Sequence, residues 1–433
     1  MDNPAGQAGR PLNRQDLRTL TLAALGGALE FYDFIIYVFF AVVIGALFFP
    51  VDMPEWLRQL QTFGIFAAGY LARPLGGIIM AHFGDRIGRK RMFTLSIFMM
   101  AVPTLLIGLL PTYAVLGMAA PILLLLLRIL QGAAIGGEVP GAWVFVAEHV
   151  PARRVGLACG TLTAGLTAGI LLGSLMATAI NRSLSPAEVS DWGWRLAFVL
   201  GGLFGIIAMY LRRWLQETPV FAELQARQAL ESGLPLKRVL SHHKCAVLLS
   251  MLLTWVLSAA IVVVILMAPT YLQKVHAFTP TVALQANSLA VLSLTIGCMV
   301  MGYLADRFGA GMVLFGGCLL LALCCVLFYQ RLATDPDSLY WRYALLGFFV
   351  GIVGVVPYVM VNVFPAAVRF SGLSFSYNLA YAIFGGLTPM LVTFWMQQDV
   401  LAPSYYVMSL ALLGASIGLW LCWRPAGVVW REA

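Results

Sequence analysis

Charge is what this sequence has least of. Only 11% of its 433 residues are Asp, Glu, Lys or Arg, against roughly 25% in a soluble domain. A chain so poor in charge, and 61% hydrophobic, cannot hide its apolar surface in water. Its mean hydropathy of +0.88 makes lipid its solvent. Histidine is scarce, and the seven cysteines are scattered, most of them inside apolar runs such as Cys324-Cys325. That spacing excludes a metal site or a disulfide framework, and the thiols read as small core hydrophobes. No nucleophile–base constellation points to an enzyme, and nothing calls for a cofactor. The polar N-terminus, Met1 to Arg18, lacks a cleavable signal pattern.

What the sequence has is long apolar runs. A membrane helix takes roughly 20 mostly apolar residues, and about twelve such runs can be placed. Six lie at 20–49, 57–82, 92–111, 114–147, 156–180 and 193–215. Six more lie at 246–272, 281–304, 311–331, 341–365, 370–397 and 403–423. The most polar internal segment, 212–244, separates the two sets. This predicts an all-α membrane protein with two pseudo-symmetric six-helix bundles, 1–211 and 245–433, joined by the 212–244 linker.

A net charge of +8 could suggest nucleic acid, but the basic residues concentrate in short loops on one side. Turn 84–91 (Arg86, Arg89, Lys90, Arg91), segment 149–154 (Arg153, Arg154) and the linker hold most of them. The opposite side has only isolated cases, Arg58, Arg182, Lys274 and Arg331. By the positive-inside rule both termini face the cytoplasm, and the partner surface is a lipid bilayer, not nucleic acid.

Charges inside a membrane cost about 2.5–3.5 kcal/mol at a helix centre on insertion scales. Here they fall in the first half: Glu30, Asp33, Arg73, Arg128 and Glu138. Glu30, Asp33 and Tyr37 share one helical stripe, and Arg128, Gln131 and Glu138 share another. The second half offers neutral candidates: Trp255, Tyr358, Asn362, Tyr377 and Asn378. Each could equally be a packing residue.

The motifs carry a resemblance. Gly84-Asp85-Arg86-Ile87-Gly88-Arg89-Lys90, with a shortened copy at Gly302 to Gly309, and Arg128-Ile129-Leu130-Gln131-Gly132 resemble the major facilitator superfamily. Glu30 to Tyr37, Arg73-Pro74-Leu75-Gly76-Gly77, Gly136-Gly137-Glu138 and Arg369-Phe370-Ser371-Gly372 with Tyr377-Asn378-Leu379 narrow it. That set is similar to the metabolite:proton symporter family, whose members carry citrate, α-ketoglutarate, shikimate or proline/betaine with protons.

The resemblance implies a monomeric bacterial inner-membrane transporter working by alternating access. Asp33, Glu30, Arg128 and Glu138 would couple protons, with Asp33 facing Arg128. Arg73, Arg128, Tyr37, Gln131 and the second-half residues would bind substrate. Gly84, Asp85, Arg86, Gly88, Arg89 and Lys90 would form a latch, with Arg89 pairing to Glu148. Asp306 and Arg307, which lack the following basic pair, would form a weaker one. Arg369 is either an inner gate or a topology charge. The expected solute is a small organic anion, a di- or tricarboxylate. The alternatives are a zwitterionic osmolyte or a citrate-like chelate such as a carboxylate siderophore. The chain stops at Ala433, without the long charged coiled coil of the family's osmosensing member. That counts against osmosensing.

Overall fold

The computed structural model describes residues 13–87, 89–136, 138–212, 235–365 and 368–423, and over 80–87 and 89–97 it describes the backbone alone. The long helices of the first half are α1 (Arg14–Phe39), α2 (Glu55–Ile87), α3 (Arg89–Leu109), α4 (Ala119–His149), α5 (Val155–Ser183) and α6 (Trp194–Arg212). Those of the second half are α7 (Lys244–Val275), α8 (Pro280–Phe308), α9 (Ala310–Arg331), α10 (Pro336–Val363), α11 (Arg369–Trp395) and α12 (Ala402–Cys422). Among the described residues, nine helices are long and apolar enough to cross a membrane. Of the polar linker, 213–234 lies outside the described residues, and Pro235–His242 forms a short helix.

The sequence writes these helices for lipid on one face and protein on the other. On α4, Leu124, Arg128, Gln131 and Ile135 are buried, while Ile122, Leu123, Leu126 and Leu130 are exposed. That is the alternation of a helix with one face packed. Lipid gives helices no hydrophobic reason to associate, so close packing needs small residues. Gly69 of α2 and Gly132 of α4 bring their backbones together, and a Cβ on Gly132 would collide with the Gly69 carbonyl.

Several helices are irregular. α7 and α11 widen over Ala260–Met267 and Tyr381–Gly385, and α10 tightens over Gly351–Gly354. Such departures often mark functional positions.

Helix reaches further into the first basic segment, 84–91, than the sequence predicts. α2 continues to Ile87 and α3 begins at Arg89, since nothing in Asp85-Arg86-Ile87 breaks a helix. Gly88 lies outside the described residues, as do the side chains of Asp85, Arg86, Arg89 and Lys90. In the second half, α8 ends at Phe308 and α9 begins at Ala310, with Gly309 between them at φ 87°. A residue with a Cβ would be strained there.

The halves meet along two seams, α2 with α11 and α5 with α8. These pairs occupy equivalent places in the pseudo-symmetric fold.

Candidate functional site

Two buried arginines organise the interior. Arg128 of α4 has no exposed surface. Its Nη1 donates to the Phe34 carbonyl at 3.0 Å and to Gln131 Oε1 at 2.9 Å. Gln131 Nε2 in turn donates to Thr104 Oγ1 at 2.6 Å. The guanidinium lies 4.3 Å from the ring centre of Phe34 and 4.7 Å from that of Tyr37, within cation–π range. Nε and Nη2 have no hydrogen-bond partner among the described residues. The Tyr37 hydroxyl donates to the Thr62 carbonyl at 3.0 Å, which fixes the ring beneath the cation.

Arg73 of α2 lies about one turn further along, since Gly69, four residues before it, packs against the Arg128 carbonyl. It is 1% exposed. Three tyrosine rings surround its guanidinium: Tyr381 at 4.8 Å, Tyr377 at 5.3 Å and Tyr70 at 5.4 Å. Its Nε and Nη2 also lack a hydrogen-bond partner among the described residues. Contacts between rings connect the two arginines, with Phe66 on Tyr70 at 4.8 Å and Tyr70 on Tyr381 at 5.0 Å.

The expected Asp33–Arg128 pair does not form. Asp33 is 1% exposed, and neither of its oxygens has a hydrogen-bond partner among the described residues. It faces α6, where a Cβ at Gly201 would come within 2.8 Å of Oδ1 and one at Gly205 within 3.3 Å of Oδ2. Phe34, not Asp33, presents its carbonyl to Arg128, and each residue turns a helix by about 100°. Thr104 stands between the two. Its hydroxyl accepts from Gln131, and its methyl flanks Gly201 beside the carboxylate. Glu30 and Glu138 are both buried, 4% exposed.

The second-half candidates divide. Tyr377 joins Arg73. Asn378 donates to the Gly136 carbonyl of α4, and its Oδ1 lacks a partner among the described residues. Trp255 stacks on Phe384 at 4.1 Å and donates to the Tyr406 hydroxyl at 2.8 Å, in a separate aromatic group of α7, α11 and α12. Tyr358 and Asn362 do not face the arginines. Asn362 is exposed and donates to the Tyr358 carbonyl within its own helix at 2.8 Å. Among the described residues, no hydrogen bond or cation–π contact joins either residue to Arg73 or Arg128.

Contacts between the halves close both ends. At the end bearing the basic turns, Arg369 pairs with Glu148 at 3.2 Å; the expected Arg89–Glu148 pair falls on a side chain outside the described residues. Asp306 accepts from the Gly156 and Leu157 amides at 2.7 and 2.8 Å. A carboxylate there meets the positive end of the α5 dipole. Arg307 is exposed, with its guanidinium over the Phe308 ring. At the opposite end Lys274 pairs with Glu55.

Tyr70, Tyr381 and Thr104 were missed by sequence reasoning. Tyr70 and Arg73 are three apart and Tyr377 and Tyr381 four apart, a spacing that places each pair on one helix face.

Comparison with known proteins bears on the family of the chain. The proline/betaine transporter of Salmonella typhimurium is 32% identical over 418 residues, covering 93% of this chain and 82% of that protein. The glycine betaine/proline/ectoine/pipecolic acid transporter OusA of Dickeya dadantii is 31% identical over 420 residues, covering 93% and 83%. Among solved structures, the proton:xylose symporter XylE bound to 6-bromo-6-deoxy-D-glucose matches with TM-score 0.77 at 17% identity, covering 94% of this chain and 95% of that one. A partially occluded inward-open XylE from E. coli matches with TM-score 0.74, also at 17%. These likenesses carry the fold. The Major Facilitator Superfamily model matches residues 23–389, and with the two six-helix halves and these relatives it places the chain in that superfamily of membrane transporters.

Proposed function

We propose that this chain is a proton-coupled symporter that imports a small zwitterion of the betaine or proline kind across the bacterial inner membrane. It would act as a monomer by alternating access, with both termini in the cytoplasm. The observation that carries the reading is the pair of named relatives, each matched over more than nine-tenths of this chain.

Site chemistry supports it and corrects the organic-anion expectation. Arg73 and Arg128 are buried, and each keeps two guanidinium nitrogens without a hydrogen-bond partner among the described residues. A di- or tricarboxylate, or a citrate-like chelate, would add two or more net negative charges to the site. A zwitterion adds none. One carboxylate matches the free guanidinium N–H groups, and aromatic rings suit its cation.

In this reading Asp33 takes the proton, because neutralising a carboxylate with no buried partner removes the cost of burying its charge. Arg128 binds the substrate carboxylate, and Gln131 and Thr104 link the two events. The latches at the two ends open in alternation as the halves rock.

Proteoliposomes with an inward proton gradient test this. Labelled glycine betaine or proline should accumulate, and a protonophore should collapse the accumulation. Accumulation of citrate or α-ketoglutarate, with no zwitterion uptake, would overturn it.

A further inference from the structure

Arg73 is an oddity that transport of a carboxylate does not by itself explain. A buried guanidinium normally sits against a carboxylate or a set of carbonyls. No described carboxylate pairs with Arg73, and Nε and Nη2 lack acceptors. What surrounds it is three tyrosine rings, at 4.8–5.4 Å, and the Tyr377 hydroxyl also accepts a hydrogen bond from the guanidinium. Tyr70 comes from the first half, Tyr377 and Tyr381 from the second. Such a ring of aromatics is the receptor that chemistry prefers for a weakly hydrated organic cation.

We propose that Tyr70, Tyr377 and Tyr381 form the receptor for the substrate's ammonium group, and that Arg73 fills it here as an internal stand-in for that cation. This rests on the zwitterion reading and extends it to a named subsite. Substrate entry is an exchange. The substrate's ammonium takes the place of the guanidinium among the rings. Arg73 turns its unpaired N–H groups to the carboxylate, one or a few bonds away on the same molecule. The cage holds one positive charge before and after, so neither state leaves the rings facing an uncompensated loss. The widened segment of α11 begins at Tyr381, which gives that ring a locally irregular helix from which to move. The cage is whole only while α2 and α11 are together, so the halves must part to admit or release the cation.

The first test needs no substitution. Calorimetry on the purified full-length protein compares glycine betaine with 3,3-dimethylbutanoate, its uncharged-carbon isostere. A desolvated cation–π contact is worth about 2 kcal/mol, so the isostere should bind at least about tenfold more weakly. Equal affinity overturns the proposal.

The second test uses tetramethylammonium, which has no carboxylate. Arg73→Met should bind it at least about tenfold more tightly than the native protein, because the stand-in is gone. Adding Tyr381→Leu should abolish that gain, and adding Tyr381→Phe should keep it. A folded, monodisperse Arg73→Met that binds tetramethylammonium no better than native contradicts the proposal. If Arg73→Met does not fold, Tyr381→Leu alone decides: it should weaken glycine betaine while leaving the isostere's affinity unchanged, and equal losses count against the cage. The two readings fail separately. Tetramethylammonium gain without betaine or proline uptake keeps the cage and removes the transport reading. Betaine uptake with no preference over the isostere does the reverse.

Discussion

The two seams between the halves are made from different chemistry. The α5–α8 seam is stitched by small residues and hydrogen bonds: Ser174 with Ser288 at 2.9 Å, Thr167 with Thr295 at 3.0 Å, and Asp306 on the α5 amides. A Cβ on Gly160 or Gly302 would strike the backbone of the other helix. The α2–α11 seam is aromatic and cationic: Tyr70 on Tyr381, Arg73 among three rings, and Asn378 on Gly136. One seam satisfies its polar groups. The other leaves Arg73 Nε and Nη2 and Asn378 Oδ1 open. Unmet buried donors and acceptors are costly, so a protein keeps them where a ligand will meet them. Equivalent positions in a repeated fold thus differ, one seam hydrogen-bonded within the protein and the other carrying unmet polar groups among the described residues.

The comparison can be broken at graded points. Asp33→Asn should have the largest effect, abolishing proton-driven accumulation while substrate exchange across the membrane persists. A variant that still acidifies vesicles during uptake would move the proton to another acid, Glu138 first. Arg128→Ala comes next. A charge-assisted hydrogen bond is worth about 1.5–3 kcal/mol, so substrate dissociation constants should rise about ten- to a hundred-fold by calorimetry. Asp306→Asn removes a carboxylate from a helix N-terminus, worth about 0.3–2 kcal/mol. It should favour opening at that end, read as faster labelling of a cysteine placed near Gly156. Thr295→Val removes one hydroxyl pair from the satisfied seam. A net cost of about 0.5–1.5 kcal/mol should lower the melting temperature slightly and leave substrate affinity within about twofold.

The sequence carried the broad plan because apolar run length and basic turns are local properties. Arg128 and Gln131 are three apart and do share a hydrogen-bonded face. The Asp33–Arg128 pair was misjudged for a physical reason. Stripe spacing says which residues share a face but not which neighbour that face meets, and here α6 offers Gly201 and Gly205 to the carboxylate. Tyr70 and Tyr381 were invisible because aromatic residues in membrane helices are common, and only contact across the halves distinguishes a cage from packing. Arg369 read as ambiguous until Glu148 was found against it.

The central claim is that the aromatic seam, not the hydrogen-bonded one, holds the solute. Glycine betaine binding to the native protein, Tyr381→Leu and Thr295→Val, measured side by side by calorimetry, tests it most directly. The account predicts a loss of at least about tenfold for Tyr381→Leu, from one desolvated cation–π contact, and near-native affinity for Thr295→Val. Native affinity in Tyr381→Leu with a large loss in Thr295→Val would contradict it.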